Sequence, residues 1–244
     1  MPVTVRGTWP GSITLRSGWS KAVARPWNDD IPIAMVRMVR GSAPFLREAS
    51  DALMAHGRDG SSPMEATVSP PLPPPGMRLW LDAGYEPWLD LDLYTRDLLA
   101  PMGEPLHILE EGGKADWDRA VAIDRSSFDE LWRLGPIGLS EALHATPKST
   151  FMLLRHDEEI AGFAIVGAGV GVSYLQRVAV DPKFQGLGYG RSLVRAAMHW
   201  GKAHGGRTML LNTQPANDRA ARLYMTAGFQ RLPGGLRIAR RPGE

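Results

Sequence analysis

From residue 107 onward, the spacing of hydrophobic and polar positions changes repeatedly, and each change marks an element. A β-prone run at 107–109 turns at Glu111-Gly112-Gly113, and helical spacing follows over 115–123, continuing loosely through Phe128, Leu131 and Trp132. A shorter helix is expected over 139–144, with Ser140 a candidate cap. Runs at 150–155 and 159–166 read as a hairpin about His156–Glu158, and a strand over 172–180 ends on Val178, Ala179 and Val180 before an Asp181-Pro182 turn. Leu193, Val194, Ala197, Met198 and Trp200 then have helical spacing, predicting a helix over 189–204 that stops at Gly205-Gly206. A strand at 208–211 follows. Asn217 stands where a helix cap would, and a short helix carrying Tyr224 leaves through Gly228-Phe229.

The first hundred residues have a fainter version of the same order. Strands are expected at 3–6 and 13–16 around a Pro-Gly turn, and at 31–39. A helix follows at about 44–56 with Gly57 as its cap, then a short strand at 64–68. The proline run at 70–75 cannot join a central strand and reads as a stiff surface connection. Leu89, Leu91 and Leu93 alternate with Asp90 and Asp92, as in a half-buried strand. RLWLDAGY at 78–85 aligns without gaps to RLYMTAGF at 222–229. This predicts that 1–100 is a partial, degenerate copy of the later half, joined to 107–244 by a linker at 101–106. Pro73 stands at the offset of Asn217, Trp80 at that of Tyr224, and the single Gly41 answers three later glycines.

Those three glycines carry the chemistry. Gly186, Gly188 and Gly190 lie between a strand and a helix start, where glycine permits positive φ and close backbone approach. A helix N-terminus offers unsatisfied N–H groups and the positive end of its dipole, so the combination suits a pyrophosphate. A Rossmann fingerprint would read G-x-G-x-x-G with an acidic residue about 20 positions later. Here the spacing is G-x-G-x-G, and no Asp or Glu lies between Asp181 and Asp218. The Gly-Lys-Ser/Thr of a Walker A loop is also absent.

The order apolar strand, Asp-Pro, Gln-x-x-Gly-x-Gly, helix resembles the acetyl-CoA motif of the GNAT N-acetyltransferase superfamily, and NDRAARLYMTAGF at 217–229 resembles that family's next motif. The resemblance implies a mixed α/β (α+β) GNAT acyltransferase fold, with one complete copy and one truncated copy, in a doubled arrangement similar to that of mycothiol synthases. It further implies acetyl-CoA as cosubstrate and direct acetyl transfer to a primary amine, either a small molecule or a protein N-terminus. Gln185 and the backbone of Gly186, Leu187, Gly188, Tyr189, Gly190 and Arg191 would then hold the diphosphate. Val178, Ala179 and Val180 would supply the donor for the thioester oxygen. Asn217 would cap its helix or bond the pantetheine arm, and Tyr224 would protonate the departing thiolate. Lys183, Arg191, Arg195 and Arg219 are further candidates for phosphate contact. Relatives often carry a Glu on the strand before the glycine loop, but here that strand reads VSYLQR. Glu130, Glu141 and Tyr174 remain as candidate bases.

Composition narrows the field. The chain has 244 residues, 43% of them apolar, and 28 basic against 26 acidic side chains give a net charge of +2. That charge is too small to mark a nucleic-acid binder, so none is expected, although local basic patches stay open. With no cysteine and six scattered histidines, a metal site is not expected. No apolar run reaches the ~20 residues of a membrane span. A cytoplasmic protein is expected, with a homodimer possible. Two other readings stay open: an acyl-CoA sensor without turnover, and an aminoacyl transferase dependent on charged tRNA.

Overall fold

The computed structural model describes residues 1–58 and 64–243, and the chain divides into two compact units. The first comprises residues 1–91 and 234–244, the second residues 92–233. In the first unit, β1 (Thr4–Arg6), β2 (Ile13–Ser17), β3 (Ser20–Pro26) and β4 (Ile33–Arg40) form an antiparallel meander. Helix α1 (Ala43–Arg58) crosses to β5 (Ala66–Val68), which lies parallel to β4. Helix α2 (Arg78–Asp82) then leads to β6 (Glu86–Asp97). The second unit has β7 (Glu110–Glu111), α3 (Trp117–Ser127), α4 (Pro136–His144), β8 (Lys148–His156), β9 (Glu159–Ala168) and β10 (Val172–Val180). It continues with α5 (Tyr189–Ala203), β11 (Thr208–Thr213), α6 (Asp218–Thr226) and β12 (Gln230–Arg231). The last strand, β13 (Leu236–Pro242), belongs to the first unit.

The two units share an internal order: three antiparallel strands (β2–β4 and β8–β10), a helix, a strand parallel to the third, a short helix and a strand. They match down to single hydrogen bonds. Ala83 N–H bonds to the carbonyls of Leu79 and Trp80, and Tyr85 N–H to that of Trp80; Ala227 bonds to Leu223 and Tyr224, and Phe229 to Tyr224. Gly84 and Gly228, at φ 86° and 87°, make the left-handed exit in each case. Each unit also takes its penultimate strand from the other half of the sequence. In the first, β13 pairs between β5 and β6 residues 86–91; in the second, β6 residues 92–97 pair between β11 and β12.

This exchange moves the division away from the expected 1–100, 101–106 and 107–244. The prolines at 101 and 105 mark a loop, but β6 carries the chain from one unit to the other before reaching them. The Leu/Asp alternation also breaks at that point: Leu91 and Asp92 are both buried, with Asp92 held by Arg231. Smaller corrections have local causes. The hydrophobic pattern does not predict β3, because its buried side is built from Ala22 and Ala24 rather than from large residues. Gly57 lies inside α1, where a Cβ would come within 2.9 Å of Met64 Cβ. Ser140 lies within α4, which starts at Pro136, and the strand expected at 107–109 forms instead at Glu110–Glu111.

In the second unit, α5 packs on one face of the sheet through Leu193, Val194, Ala197 and Met198, all buried with Leu175 and Met209. Helices α3 and α4 cover the opposite face, where Ile123 and Leu139 meet Phe151, Phe163 and Ile165. The first unit has no counterpart of α3 and α4 among the described residues; α1 and α2 pack on a single face formed by Ile13, Leu15, Ala22, Ala24, Ala34 and Val36. Among the described residues, no helix is long and apolar enough to cross a membrane.

Candidate active site

Strands β10 and β11 begin as a parallel pair, with Val172, Ser173 and Tyr174 opposite Thr208, Met209 and Leu210. There the ladder stops. β10 continues along β9 as far as Val180↔Gly162, while β11 continues along β6 to Thr213↔Asp92. A bulge between Leu175 and Arg177 accompanies the divergence. It turns two consecutive side chains, Gln176 and Arg177, toward α3 and α4, where Gln176 meets Thr146 and Arg177 meets Asp124.

Antiparallel ladders direct backbone groups alternately to either side. Asp181 N–H bonds to Ala161 O, so Asp181, Ala179 and Arg177 turn their backbone groups to β9, and Val178 and Val180 turn theirs into the opening. The Val180 carbonyl there accepts from Gln185 Nε2 at 2.9 Å and Ser127 Oγ at 3.2 Å. Sequence reasoning groups Val178, Ala179 and Val180 together; the ladder separates Ala179, which is buried on the α3 side.

Beyond β10, Asp181 caps a short turn over Pro182–Phe184 by accepting from Lys183 N–H. Arg119 joins the Asp181 carboxylate at 2.6 Å and Glu159 at 2.8 Å, and Lys183 also pairs with Glu159. Burial pushes the Asp181 carboxyl up, but the Lys183 N–H and the Arg119 guanidinium outweigh it, so the net pKa is lowered. Gly186 and Gly188 then adopt φ 90° and 83°. A Cβ built on Gly186 would meet nothing within 4 Å, and Gly188 caps α5 without any side-chain hydrogen bond. The result is an open backbone cradle at the N-terminus of a 15-residue helix. Gly190 acts through packing instead. A Cβ there would lie 3.2 Å from Leu223, so its absence lets α5 approach α6.

The structure brings Gln185 through Arg191 together in this cradle, with Leu187 half exposed and Arg191 exposed in the first turn. The Tyr189 side chain turns away, its hydroxyl 2.5 Å from His156 Nδ1 and its ring edge-on to His107. Asn217 caps α6 by accepting from Ala220 N–H at 3.1 Å, and Arg219 reaches back to Gln185 Oε1. Lys183 and Arg195 are committed elsewhere, to Glu159 and the Glu104 carbonyl. Tyr224 is buried at 6% exposure, packed on Tyr94 and Phe229. Burial pushes its phenol up to about 12, although the Arg177 charge draws it partway back.

Of the candidate bases, Tyr174 is partly exposed on β10, and Glu141 lines a depression with Trp117 and Ile137 outside α3 and α4. The charges that act on Tyr224 come from Arg177 and Tyr94. Sequence reasoning missed the group that shapes this region. Asp124, fully buried, holds Arg177 through two bonds of 2.6 and 2.7 Å and accepts Leu134 N–H. Arg177 also bonds the Trp132 carbonyl and lies over the Phe128 ring at 3.5 Å. Its sequence signal is faint, an arginine in a strand that also carries Ser173, Tyr174 and Gln176.

Residues 117–229 match the family described as "Acetyltransferase (GNAT) family". The chain is 30% identical over 136 residues to N-alpha-acetyltransferase RimI of Mycobacterium tuberculosis, spanning 51% of this chain and 77% of that one. It is 27% identical over 119 residues to the [Ribosomal protein bS18]-alanine N-acetyltransferase of Haemophilus ducreyi, spanning 48% and 78%. Similarity to the mycothiol acetyltransferase of Rhodococcus erythropolis, 32% over 131 residues, covers 41% of that enzyme. Two solved structures share the fold across 96% of this chain. One is a tandem GNAT protein from the clavulanic acid biosynthesis pathway (TM-score 0.64, 14% identity, 83% of its chain covered). The other is a GCN5-related N-acetyltransferase from Sphaerobacter thermophilus (TM-score 0.61, 15% identity, 81% covered).

Proposed function

The chain belongs to the GNAT acetyltransferase family, and on that premise we propose that residues 92–233 transfer an acetyl group from acetyl-CoA to a primary amine in a ternary complex. The observation that carries this reading is the divergence of β10 from β11 directly before an open glycine cradle. The cradle suits a diphosphate: two left-handed glycines and a helix start without a side-chain cap leave room that side chains would fill. Acetyl-CoA supplies an activated acyl group as a thioester. The N–H groups of Val178 and Val180 face the opening and are suited to the thioester oxygen as it gains negative charge. Transfer forms the C–N bond and breaks the C–S bond; Tyr224, protonated throughout the physiological range, gives its proton to the sulfur, and the proton that the amine nitrogen sheds on becoming an amide passes to solvent, from which the tyrosinate is reprotonated. One relative is named an N-alpha-acetyltransferase and another a ribosomal protein bS18-alanine N-acetyltransferase, which favours a protein N-terminus over a small amine as acceptor.

One observation favours a second reading, acyl-CoA binding without turnover. Gln176 and Arg177 occupy the bulge where a carboxylate base would be useful, and Asp124 is consumed by Arg177. A thermal-shift series with acetyl-CoA, CoA, NAD and ATP tests the shared premise, because a ligand stabilises the state that binds it. A rise with the two CoA species alone, lost in Gly188→Glu and titrating to one equivalent per chain, is the expected result. No rise, or a rise with a nucleotide, overturns the premise. Thiol release with a panel of amines and N-terminal peptides then separates enzyme from sensor.

A further inference from the structure

Among the described residues, no helix of the first unit covers the sheet face that α3 and α4 cover in the second. Pairing registers show which side chains occupy it. Ile13 and Leu15 face α1, so Thr14 and Arg16 face away, and their partners across the ladders face away with them. One row across the strands reads Thr4, Arg16, Lys21, Arg40; the next reads Arg6, Thr14, Val23, Arg37. In the second unit the corresponding face carries Phe151, Leu153, Phe163 and Ile165.

A face that had only lost its helices would be expected to carry both signs of charge, as solvated surfaces do. Strands β1 to β4 contain no Asp or Glu. Arg6, Arg16, Arg37 and Arg40 are exposed, Lys21 is half-buried, and none of the five forms an ion pair among the described residues. Like charges directly opposite one another destabilise a sheet, yet Arg16 faces Lys21, and Lys21 faces Arg40. Neighbouring strands lie about 4.8 Å apart and alternate residues about 7 Å apart. The cations therefore lie within roughly a Debye length of their neighbours, and their fields add.

At the tip of the β2–β3 hairpin, beside this face, Trp19 is 86% exposed, with the Arg40 guanidinium over its ring at 5.7 Å. Clustered arginines suit phosphate oxygens, and an exposed indole suits an unstacked base. A duplex keeps its bases stacked on one another and would leave the exposed indole without a base to stack on. The Thr14 hydroxyl, set between Arg6 and Val23 in its row, can bond a ribose 2′-hydroxyl, which DNA lacks. We propose that this face of the first unit binds single-stranded RNA through its phosphate backbone, with Trp19 stacking on a base. The net charge of +2 conceals the patch, because the six cations of residues 1–40, set against two aspartates, are diluted over the whole chain. The proposal is independent of acetyl transfer.

The test is fluorescence anisotropy of the full-length protein with a labelled 20-mer oligouridylate between 50 and 200 mM salt. Five phosphate contacts predict a log–log salt slope of about −3.5. Arg16→Gln/Lys21→Gln/Arg37→Gln should reduce the slope by about 2 and weaken binding at least ~10-fold at 50 mM salt. Lys148→Gln/Lys202→Gln/Arg207→Gln, which removes as many cations elsewhere, should change nothing, and Trp19→Ala should weaken binding without altering the slope. A wild-type slope near zero overturns the proposal whether or not the variants fold, as does wild-type affinity in a folded triple variant. Tighter binding to polyglutamate, to phosphatidylglycerol vesicles or to oligothymidylate overturns the assignment to RNA.

Discussion

Replacing Tyr224 by Phe removes one oxygen and tests two separate claims. The first concerns burial. The phenol's pKa is raised from 10.0 to about 12, principally because it is buried. A pKa raised in the folded state means that the stability it carries is fully present below pH 10 and is lost as pH climbs toward 12. At pH 11.5 the unfolded phenol is almost wholly ionised and the folded one mostly is not, so the loss relative to pH 9 is about 2 kcal/mol. Urea denaturation of wild type and Tyr224→Phe at both pH values isolates it, since every other titrating group is common to the two proteins. Wild type should lose about 2 kcal/mol more than the variant between pH 9 and pH 11.5. An equal loss in both would show that the hydroxyl is solvated, and the pKa argument would fall. The second claim is chemical. At pH 7.5 the variant should keep wild-type acetyl-CoA affinity by calorimetry and lose turnover by about 10²-fold or more, the usual reach of a positioned acid. Unchanged turnover would return Tyr224 to the core as a packed aromatic.

Two further substitutions probe the surroundings. Asp124→Ala leaves the Arg177 guanidinium buried without its partner and should cost about 3–5 kcal/mol in chemical denaturation; a cost below ~1 kcal/mol would mean the pair is solvated in solution. Asp181→Asn tests the glycine-loop anchor through acid titration. The Asp181 pKa is lowered on folding, so its stabilisation is present above the unfolded value of 3.8 and lost as pH falls through the lower folded value. Wild type should therefore lose more stability than the variant on acidification below about pH 4, and parallel acid curves would refute the anchor.

What the sequence revealed, and what it hid, follows from how local each cause is. The glycine cradle was legible because positive φ at Gly186 and Gly188 is a demand that few residue types meet, so the backbone need is written in the residue itself. The repeat at 78–85 and 222–229 was legible for the same reason: a left-handed helix exit fixes a glycine and brackets it with the apolar residues it packs. The clamp at Asp124 and Arg177 was hidden, because its partners are 53 residues apart and either residue alone reads as surface. The strand exchange was hidden more deeply. Nothing along β6 marks Leu91 as the end of one unit's ladder and Asp92 as the start of another's, since pairing partners are chosen across more than a hundred residues. Proline at 101 and 105 therefore drew the boundary to the first obvious loop.

The exchange also bears on how the two halves differ in chemistry. Both copies keep a parallel strand pair that ends after three residues, β4 with β5 and β10 with β11. Only the second has a loop to use it. Eight residues, 181–188, join β10 to α5, whereas Gly41 and Ser42 alone join β4 to α1. A Cβ on Gly41 would lie 2.6 Å from the Phe45 ring, so the first helix closes directly over the place where a cradle would open. The first copy retains the packing of the fold, through Trp80 and Tyr85 at 4.9 Å, and lacks the backbone that would bind a diphosphate. Its outer face, which no helix among the described residues covers, carries cations where the corresponding face of the second unit carries a core.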